Sequence, residues 1–591
     1  MNHRRLISCL LLSAGSLGAK EASWTRLDAQ NFVILSEVSE EETRSWAIEF
    51  DQFHRGLGKV LKINESLLQP VTVVLFRSQG ALRPYKPLEK GKPANIDGLF
   101  VRSSLGNFIE AAADSEDDET RRLIFHEGVH WMTNVSDTPL PLWLDEGLAE
   151  VFSTFSIDGD LYSYGKALDW HVILLTRGKR MPLKELLGIQ RGSLLYNEGD
   201  RTSIFYAESW AFVHYLLFSG QLEERAKYNQ LLRALRGRAD PDIVFKQVFG
   251  VDCAGMDKRL EDYLYNGNYT INRIRFDRSA VNKSFKVRPA TRAEVNLAEC
   301  ELLTVVNRPS EALPRLRELV RAMQGDPAPW EAEGFAAYQT EDYGEAESSF
   351  RRASELGSRS YFVYSFLGDA TLGIHPGGVM PAVVGDIRVA ADYYERELQL
   401  NARDQHAYDN IAGNAYGMET LTATDAKTLQ DGAQLFPDDG AIKVGMAVVD
   451  LKQGHADTAI PALRRISADM SPANREVSAY AQTILDDRMR IDAFNQIQDL
   501  WQRREYDKVV AFADGLLKTN LSAPNRESVT LTRVRAKVAS KIQQAVDLAN
   551  SGQLPEAKRL LLEAVAESPD EQMKRQIQSL LDRISADPRA R

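Results

Sequence analysis

The residues with the clearest chemistry are His126, Glu127 and His130, an H-E-x-x-H sequence inside the stretch from Arg121 to Phe155. On an α-helix, residues four apart lie about one turn apart on one face, so the two imidazoles can offer nitrogens to a single divalent cation. Glu127 sits beside that face. From there a carboxylate reaches a water on the metal without taking a coordination position, as a general base for hydrolysis must. Downstream, Leu142-Trp143-Leu144-Asp145-Glu146-Gly147-Leu148-Ala149-Glu150 reads as a second helix that can deliver a third, carboxylate ligand. The bland alternative is two solvated or hydrogen-bonded histidines, because the bare five-residue pattern also arises by chance.

Several elements must position these groups. Asn31 to Ser36 is a β-branched and aromatic run suited to a buried strand, and Trp46, Phe50, Phe53, Leu57, Val60 and Leu61 form a helical stripe between Glu40 and Leu61. Val71 to Phe76 is a second strand. After a Pro-, Lys- and Gly-rich region from Arg83 to Ala94, Gly98–Val101 and Asn107–Ile109 read as a hairpin or a pair of edge strands. The H-E-x-x-H helix is expected to start after the acidic cluster Asp114–Glu119, which suits a helix N-terminus, and to end near Asn134. Pro139 and Pro141 break the chain before the second helix, expected from about Leu142 to Phe155. Tyr206, Trp210, Val213 and Leu217 lie in helical register further on.

From about residue 290 the chain becomes helix after helix. Trp330 and Gly334 recur as Tyr364 and Gly368 at a spacing of 34, the tetratricopeptide period. Ala346, Phe350 and Ala353 stand where the second helix of such a repeat packs on the first. Ala545, Leu548, Ala557, Leu561, Ala564 and Pro569 keep the same register near the C-terminus, and an insertion interrupts the Tyr364 unit around His375–Gly378. A right-handed solenoid of roughly six to eight helix pairs is expected.

The chain of 591 residues exceeds what one hydrophobic core organises. Its net charge of -11 and pI near 5.5 lack the basic footprint of a nucleic-acid or anionic-membrane binder. Arg4 and Arg5, the apolar run Leu6–Leu12 and the small residues Ser13, Ala14, Gly15, Ser16, Gly18 and Ala19 read as a signal peptide, so residues 1–19 are assigned to export and the mature protein to the periplasm. No later stretch is long and apolar enough for a membrane span. With Cys9 in that segment, Cys253 and Cys300 remain, either bridged or buried as free thiols.

The pairing of HEGVH with PLWLDEGLAEVF resembles the gluzincin superfamily of zinc metallopeptidases, in particular the peptidase-MA-like domains often fused to tetratricopeptide repeats. The resemblance implies an α+β zincin-like metallopeptidase domain over 23–275, a linker over 276–289 and an all-α tetratricopeptide-type helical solenoid over 290–585. It implies Zn2+ as cofactor, His126 and His130 as ligands, and Glu127 as catalytic base. Fifteen residues separate His130 from Glu146, and nineteen separate it from Glu150. The longer spacing matches thermolysin-like relatives, but the local Trp-Leu-Asp-Glu-Gly-Leu-Ala match is the more specific and points to Glu146 as third ligand. Glu150 then falls where the family often has a carboxylate that hydrogen-bonds a ligating imidazole, its alternative being an exposed helix position.

Tyr206 begins Tyr-Ala-Glu-Ser-Trp, which resembles the family's downstream helix where a tyrosine can face the metal and donate to the oxyanion. Its alternative is a place in a core stripe, and His214 and His171 are other candidate donors. In zincins an edge strand near the metal adds extended substrate to the sheet, a role open to the Leu99–Ile109 strands. The expected function is exported zinc-dependent peptide hydrolysis, with a peptide or protein substrate and a protein partner on the solenoid. The alternative is a catalytically silent zincin-like module in a tetratricopeptide adaptor or envelope-assembly protein.

Overall fold

The computed structural model describes residues 23–63, 68–114, 117–133, 140–190, 203–219, 240–275, 285–374, 386–469, 471–519 and 523–586, with isolated positions between 226 and 234. The segment assigned to export and the insertion at His375–Gly378 lie outside the described residues. The chain forms two compact units, one up to Asp404 and one from Gln405 on. The division falls among the repeats, not at their start.

The first unit is built on a sheet of six strands: β1 (Thr25–Asp28), β2 (Phe32–Ser36), β3 (Val71–Phe76), β6 (Gly98–Arg102), β7 (Asn107–Ala112) and β11 (Val287–Pro289), in the order β11-β1-β2-β3-β7-β6. β2, β3 and β7 run parallel, with Phe32 beside Val71 and Val71 beside Asn107. β6 returns antiparallel along β7, with Phe100 beside Ile109, and forms one border of the sheet. β4 (Leu88–Glu89) and β5 (Lys92–Pro93) make a separate small hairpin.

Both faces of the parallel strands are apolar because both are covered. On one face Ile34, Val73, Ile109 and Ala111 meet α1 (Glu40–Leu61) and α3 (Asp117–Thr133), with Phe53 of α1 stacked on Phe125 of α3 at 4.3 Å. On the other, Val74, Phe76, Phe108 and Ala112 pack with Leu82 of α2 (Gln79–Leu82) and Leu302 of the first repeat helix. Ser39 and Glu42 close a capping box at the start of α1, which satisfies two backbone donors and sets where the helix begins.

After α3 come α4 (Leu142–Ser153), β8 (Ser156–Asp158), β9 (Leu161–Tyr164), α5 (Asp169–Arg177), α6 (Leu183–Gly188), α7 (Ile204–Phe218), α8 (Pro241–Phe249), α9 (Cys253–Asn266) and β10 (Asn272–Arg275). β10, β9 and β8 form a second, three-stranded sheet. The repeats begin with α10 (Arg292–Val305) and α11 (Pro309–Ala322), then α12 (Pro327–Gln339) and α13 (Tyr343–Glu355), then α14 (Tyr361–Thr371) and α15 (Ile387–Leu400). The second unit continues with α16 (Gln405–Asn414) to α19 (Ala456–Ser467), the longer α20 (Arg475–Gln502), α21 (Tyr506–Leu516), α22 (Ala523–Asn550) and α23 (Leu554–Glu567), and a last helix, α24 (Glu571–Ala586).

This is a helical repeat array, and the recurring glycines show why it packs closely. A Cβ on Gly334 would come within 2.7 Å of the Phe350 ring, and one on Gly368 within 2.6 Å of the Tyr394 ring, so each glycine lets the partner helix's aromatic seat directly on its backbone.

Two differences from the sequence reading stand out. The acidic residues Asp117 to Glu119 form the first turn of α3 instead of preceding it. Val287–Pro289, within the stretch read as a linker, is a strand paired with β1, Pro289 standing beside Thr25. Three residues with one proline carry no alternating pattern long enough to read. Cys253 and Cys300 are buried free thiols, not a disulfide, and burial pushes them up to about 12 and about 11 respectively.

Candidate metal centre

The structure brings His126, His130 and Glu146 together. His126 and His130 lie one turn apart on α3, and Glu146 faces them from α4. The two Nε2 atoms are 3.2 Å apart, and Glu146 Oε2 stands 3.4 Å from that of His126 and 3.5 Å from that of His130. A tetrahedral ion with bonds of about 2.0–2.1 Å would hold its ligand atoms about 3.3–3.4 Å apart. Among the described residues, these three form a group of ligand-type side chains with converging donor atoms, all buried.

The neighbours of the imidazoles decide which nitrogen faces inward. His126 Nδ1 lies 3.2 Å from Glu150 Oε1, and His130 Nδ1 lies 3.1 Å from Asp145 Oδ1. An ionised carboxylate only accepts, so each Nδ1 carries the proton and each Nε2 turns its lone pair toward Glu146. Three acceptor atoms at such separations repel unless something positive sits among them, a shared proton or a metal cation. The donor set and its spacing therefore fit a zinc-type ion.

Burial penalises charge throughout this cluster, yet the partners outweigh it. His130 is held well above its ordinary value by Asp145 and Glu146, and Glu146 well below its own by the two imidazoles. Glu150, fully buried and not an exposed helix position, is held well below by His126 and His171. Its second oxygen lies 3.1 Å from His171 Nε2 and 3.6 Å from Arg122 Nη1.

Glu127 turns the other way. Its Oε2 accepts the Phe100 N–H of β6 at 2.8 Å, which fixes the carboxylate beside the histidines and against the border of the sheet. Gly147 explains the approach of α4 to its support: a Cβ there would lie 2.5 Å from the Ser209 carbonyl oxygen of α7.

Tyr206 is buried on α7, its ring edge-on to Phe205 at 5.5 Å, in the manner of a core aromatic. Glu208, two residues on, is paired with Arg180 at 2.8 Å. The other two candidate donors are placed elsewhere. His214 bonds Tyr263 Oη and the Gly165 carbonyl, and burial pushes it down to about 4, so it is neutral and internal. His171 serves Glu150, wedged between Trp170 and Trp210. Asp145 and His171 were not assigned these positions from sequence. The signal for Asp145 is its place directly before the third carboxylate, whereas nothing local marks His171.

No protein-family model matches the chain, and no curated protein matches it. Among solved structures, YrrB, described as a TPR protein with an unusual peptide-binding site, aligns at 16% identity over 32% of this chain and 92% of its own, with a TM-score of 0.26. Yeast Tom70 aligns at 15% identity over 64% and 85%, with a TM-score of 0.20. A human IFIT1 dimer with m7Gppp-AAAA aligns at 15% identity over 50% and 65%, with a TM-score of 0.17. Scores of this size carry no argument, and the helical-repeat assignment rests on the packing described above. No described helix is long and apolar enough to cross a membrane.

Proposed function

We propose that the α/β part is a zinc-dependent, gluzincin-like peptide hydrolase, exported to the periplasm, with a tetratricopeptide-type array that binds a protein partner or substrate. The observation that supports this most is the convergence of two imidazole Nε2 atoms and one carboxylate oxygen, each imidazole backed by its own carboxylate. A zinc ion there would acidify water and polarise a peptide carbonyl. His126, His130 and Glu146 would hold the ion, and Glu150 and Asp145 would keep the rings turned inward. Glu127, steadied by the Phe100 N–H, takes a proton from water and returns it to the leaving amine. The border of β6 beside it, where the Phe100 N–H already meets Glu127, is the path we assign to an extended peptide. Tyr206 is the candidate oxyanion donor.

A second reading is favoured by the depth of the cluster: His126, Glu127 and Glu146 are each no more than 3% exposed. In that reading the metal only stabilises the fold, and the repeat array makes the protein an adaptor. Glu127→Gln separates the two. It should bind zinc as the parent does and lose hydrolysis of an unfolded protein substrate by about 10²–10⁴-fold. Zinc-loaded parent and variant with equal turnover, or with none, would sink the hydrolase reading.

A further inference from the structure

A cavity of about 470 Å3 lies where the end of β6 and the β6–β7 turn face the start of α14 and the residues after α15. That volume is within the range of ligand sites, about 300–1,000 Å3. Its walls are tied together: Gln69 Nε2 donates to the Leu400 carbonyl at 3.4 Å, and Tyr361 of α14 shares a hydrogen bond with Ser104 of the turn. Arg102, Arg359 and Arg403, from three separate elements, line it. Three guanidinium groups thus meet in a chain of net charge -11, with Asp404 close enough to act on Tyr361 alongside Arg102. Among the described residues, neither Arg359 nor Arg403 forms an ion pair.

Two carboxyl groups, Glu301 and Glu331, also line the cavity. Burial, with Glu331 nearby, pushes Glu301 up to about 8, so it is largely protonated near neutral pH and does not cancel the arginines. Glu331 accepts from the Ser358 side chain and the Arg359 N–H, and burial raises it as well.

The position along β6 connects this cavity to the hydrolytic site. Arg102 follows Phe100 by two residues, about 7 Å along an extended strand. Residues two apart on a border strand present their main-chain groups to the same side, and on that side the Phe100 N–H meets Glu127.

We infer that the cavity takes a carboxylate of an extended peptide lying along β6, an acidic side chain or a C-terminus, held by Arg102, Arg359 and Arg403. Charged hydrogen bonds to planar guanidinium groups suit that ligand. The inference rests on the hydrolase reading for the peptide's path, and it names the substrate class.

The test is fluorescence anisotropy with the full-length Glu127→Gln protein and labelled extended peptides. One carries glutamate a few residues from its centre, a second has glutamine there, and each is made with a free or an amidated C-terminus. The expected result is about tenfold tighter binding of a carboxylate-bearing peptide than of its neutral counterpart. The glutamate and free-terminus arms identify which source is read. Arg102→Ala/Arg359→Ala/Arg403→Ala should abolish the preference while leaving neutral-peptide binding unchanged. All three side chains are exposed, so the fold should persist, as circular dichroism would check. Equal binding of charged and neutral peptides, binding of none, or a preference that survives the triple substitution would overturn the inference. Lost preference with intact cleavage sinks only this site. Kept preference without cleavage by zinc-loaded parent sinks only the hydrolase reading.

Discussion

Two glutamates, equally hidden from solvent, are treated in opposite ways by their surroundings. Glu150, on the helix behind the candidate metal centre, is surrounded by His126, His171 and Arg122, and its carboxyl is held well below its ordinary value. Glu110, on β7, faces the side of the sheet toward the first repeats. Among the described residues neither of its oxygens has a hydrogen-bond partner, whereas Glu150 Oε2 has His171 Nε2 at 3.1 Å, and burial pushes Glu110 up to about 8 although Lys86 and Arg308 pull the other way. Burial sets the penalty for charge, and directed donors decide whether the charge survives it. Where donors were supplied, the carboxylate stays ionised and can orient the His126 ring. Where they were not, burial keeps the carboxyl protonated well above its ordinary range.

The strongest break of this comparison is at the centre itself. Glu146→Ala should lose high-affinity zinc, read by chelator competition, and with it all hydrolysis. A variant that binds zinc like the parent would move the third ligand elsewhere. Next, Glu150→Ala and Asp145→Ala should each weaken zinc by about 10–100-fold, because an unanchored imidazole must be ordered on binding. If both leave affinity unchanged, the supporting carboxylates are ornamental.

Glu110→Gln addresses the other side. The folded-state value of Glu110 lies above the ordinary one, so its favourable contribution is intact below about pH 4.5 and is lost as pH rises toward 8. The substitution should therefore raise stability at about pH 9 relative to about pH 5, by on the order of 3 kcal/mol. A gain of equal size at both would count against a buried titrating acid. Glu150, with its value lowered, contributes stability of the opposite sense, lost as pH falls through the acid range. The smallest effect expected is that of Tyr206→Phe on zinc affinity, which should not change. A drop in turnover of about tenfold or more would assign its hydroxyl to the oxyanion.

The difference between these regions also marks what could be read from residue order. His126 and His130 were legible from helical spacing, with Glu127 beside their face, whereas Glu146 was singled out over Glu150 only by the resemblance of Trp143–Ala149 to a gluzincin segment. The partnership of Glu150 with His171 was not legible, because it depends on how α5 lies across α4, and no local pattern encodes that crossing. Four of the six strands of the main sheet were legible, β2, β3, β6 and β7 being apolar runs, whereas β1, with Thr25, Arg26 and Asp28, hides its buried alternation in four residues. In the repeats, Gly334 and Gly368 announced themselves because a close approach of helices tolerates no side chain there. The β8–β10 sheet was missed because its members are three or four residues long and β10 lies more than a hundred positions from its partner.

The pairing of β1 with β11 has a consequence for biosynthesis. Thr25 of β1 leaves the ribosome long before its neighbour Pro289, which follows only after the whole intervening α/β chain. Until then one border of the nascent sheet is open, and contacts across so long a separation form slowly. The growing polypeptide must be kept from joining that border to another chain, so a holding chaperone has most to do before the first repeat helix appears.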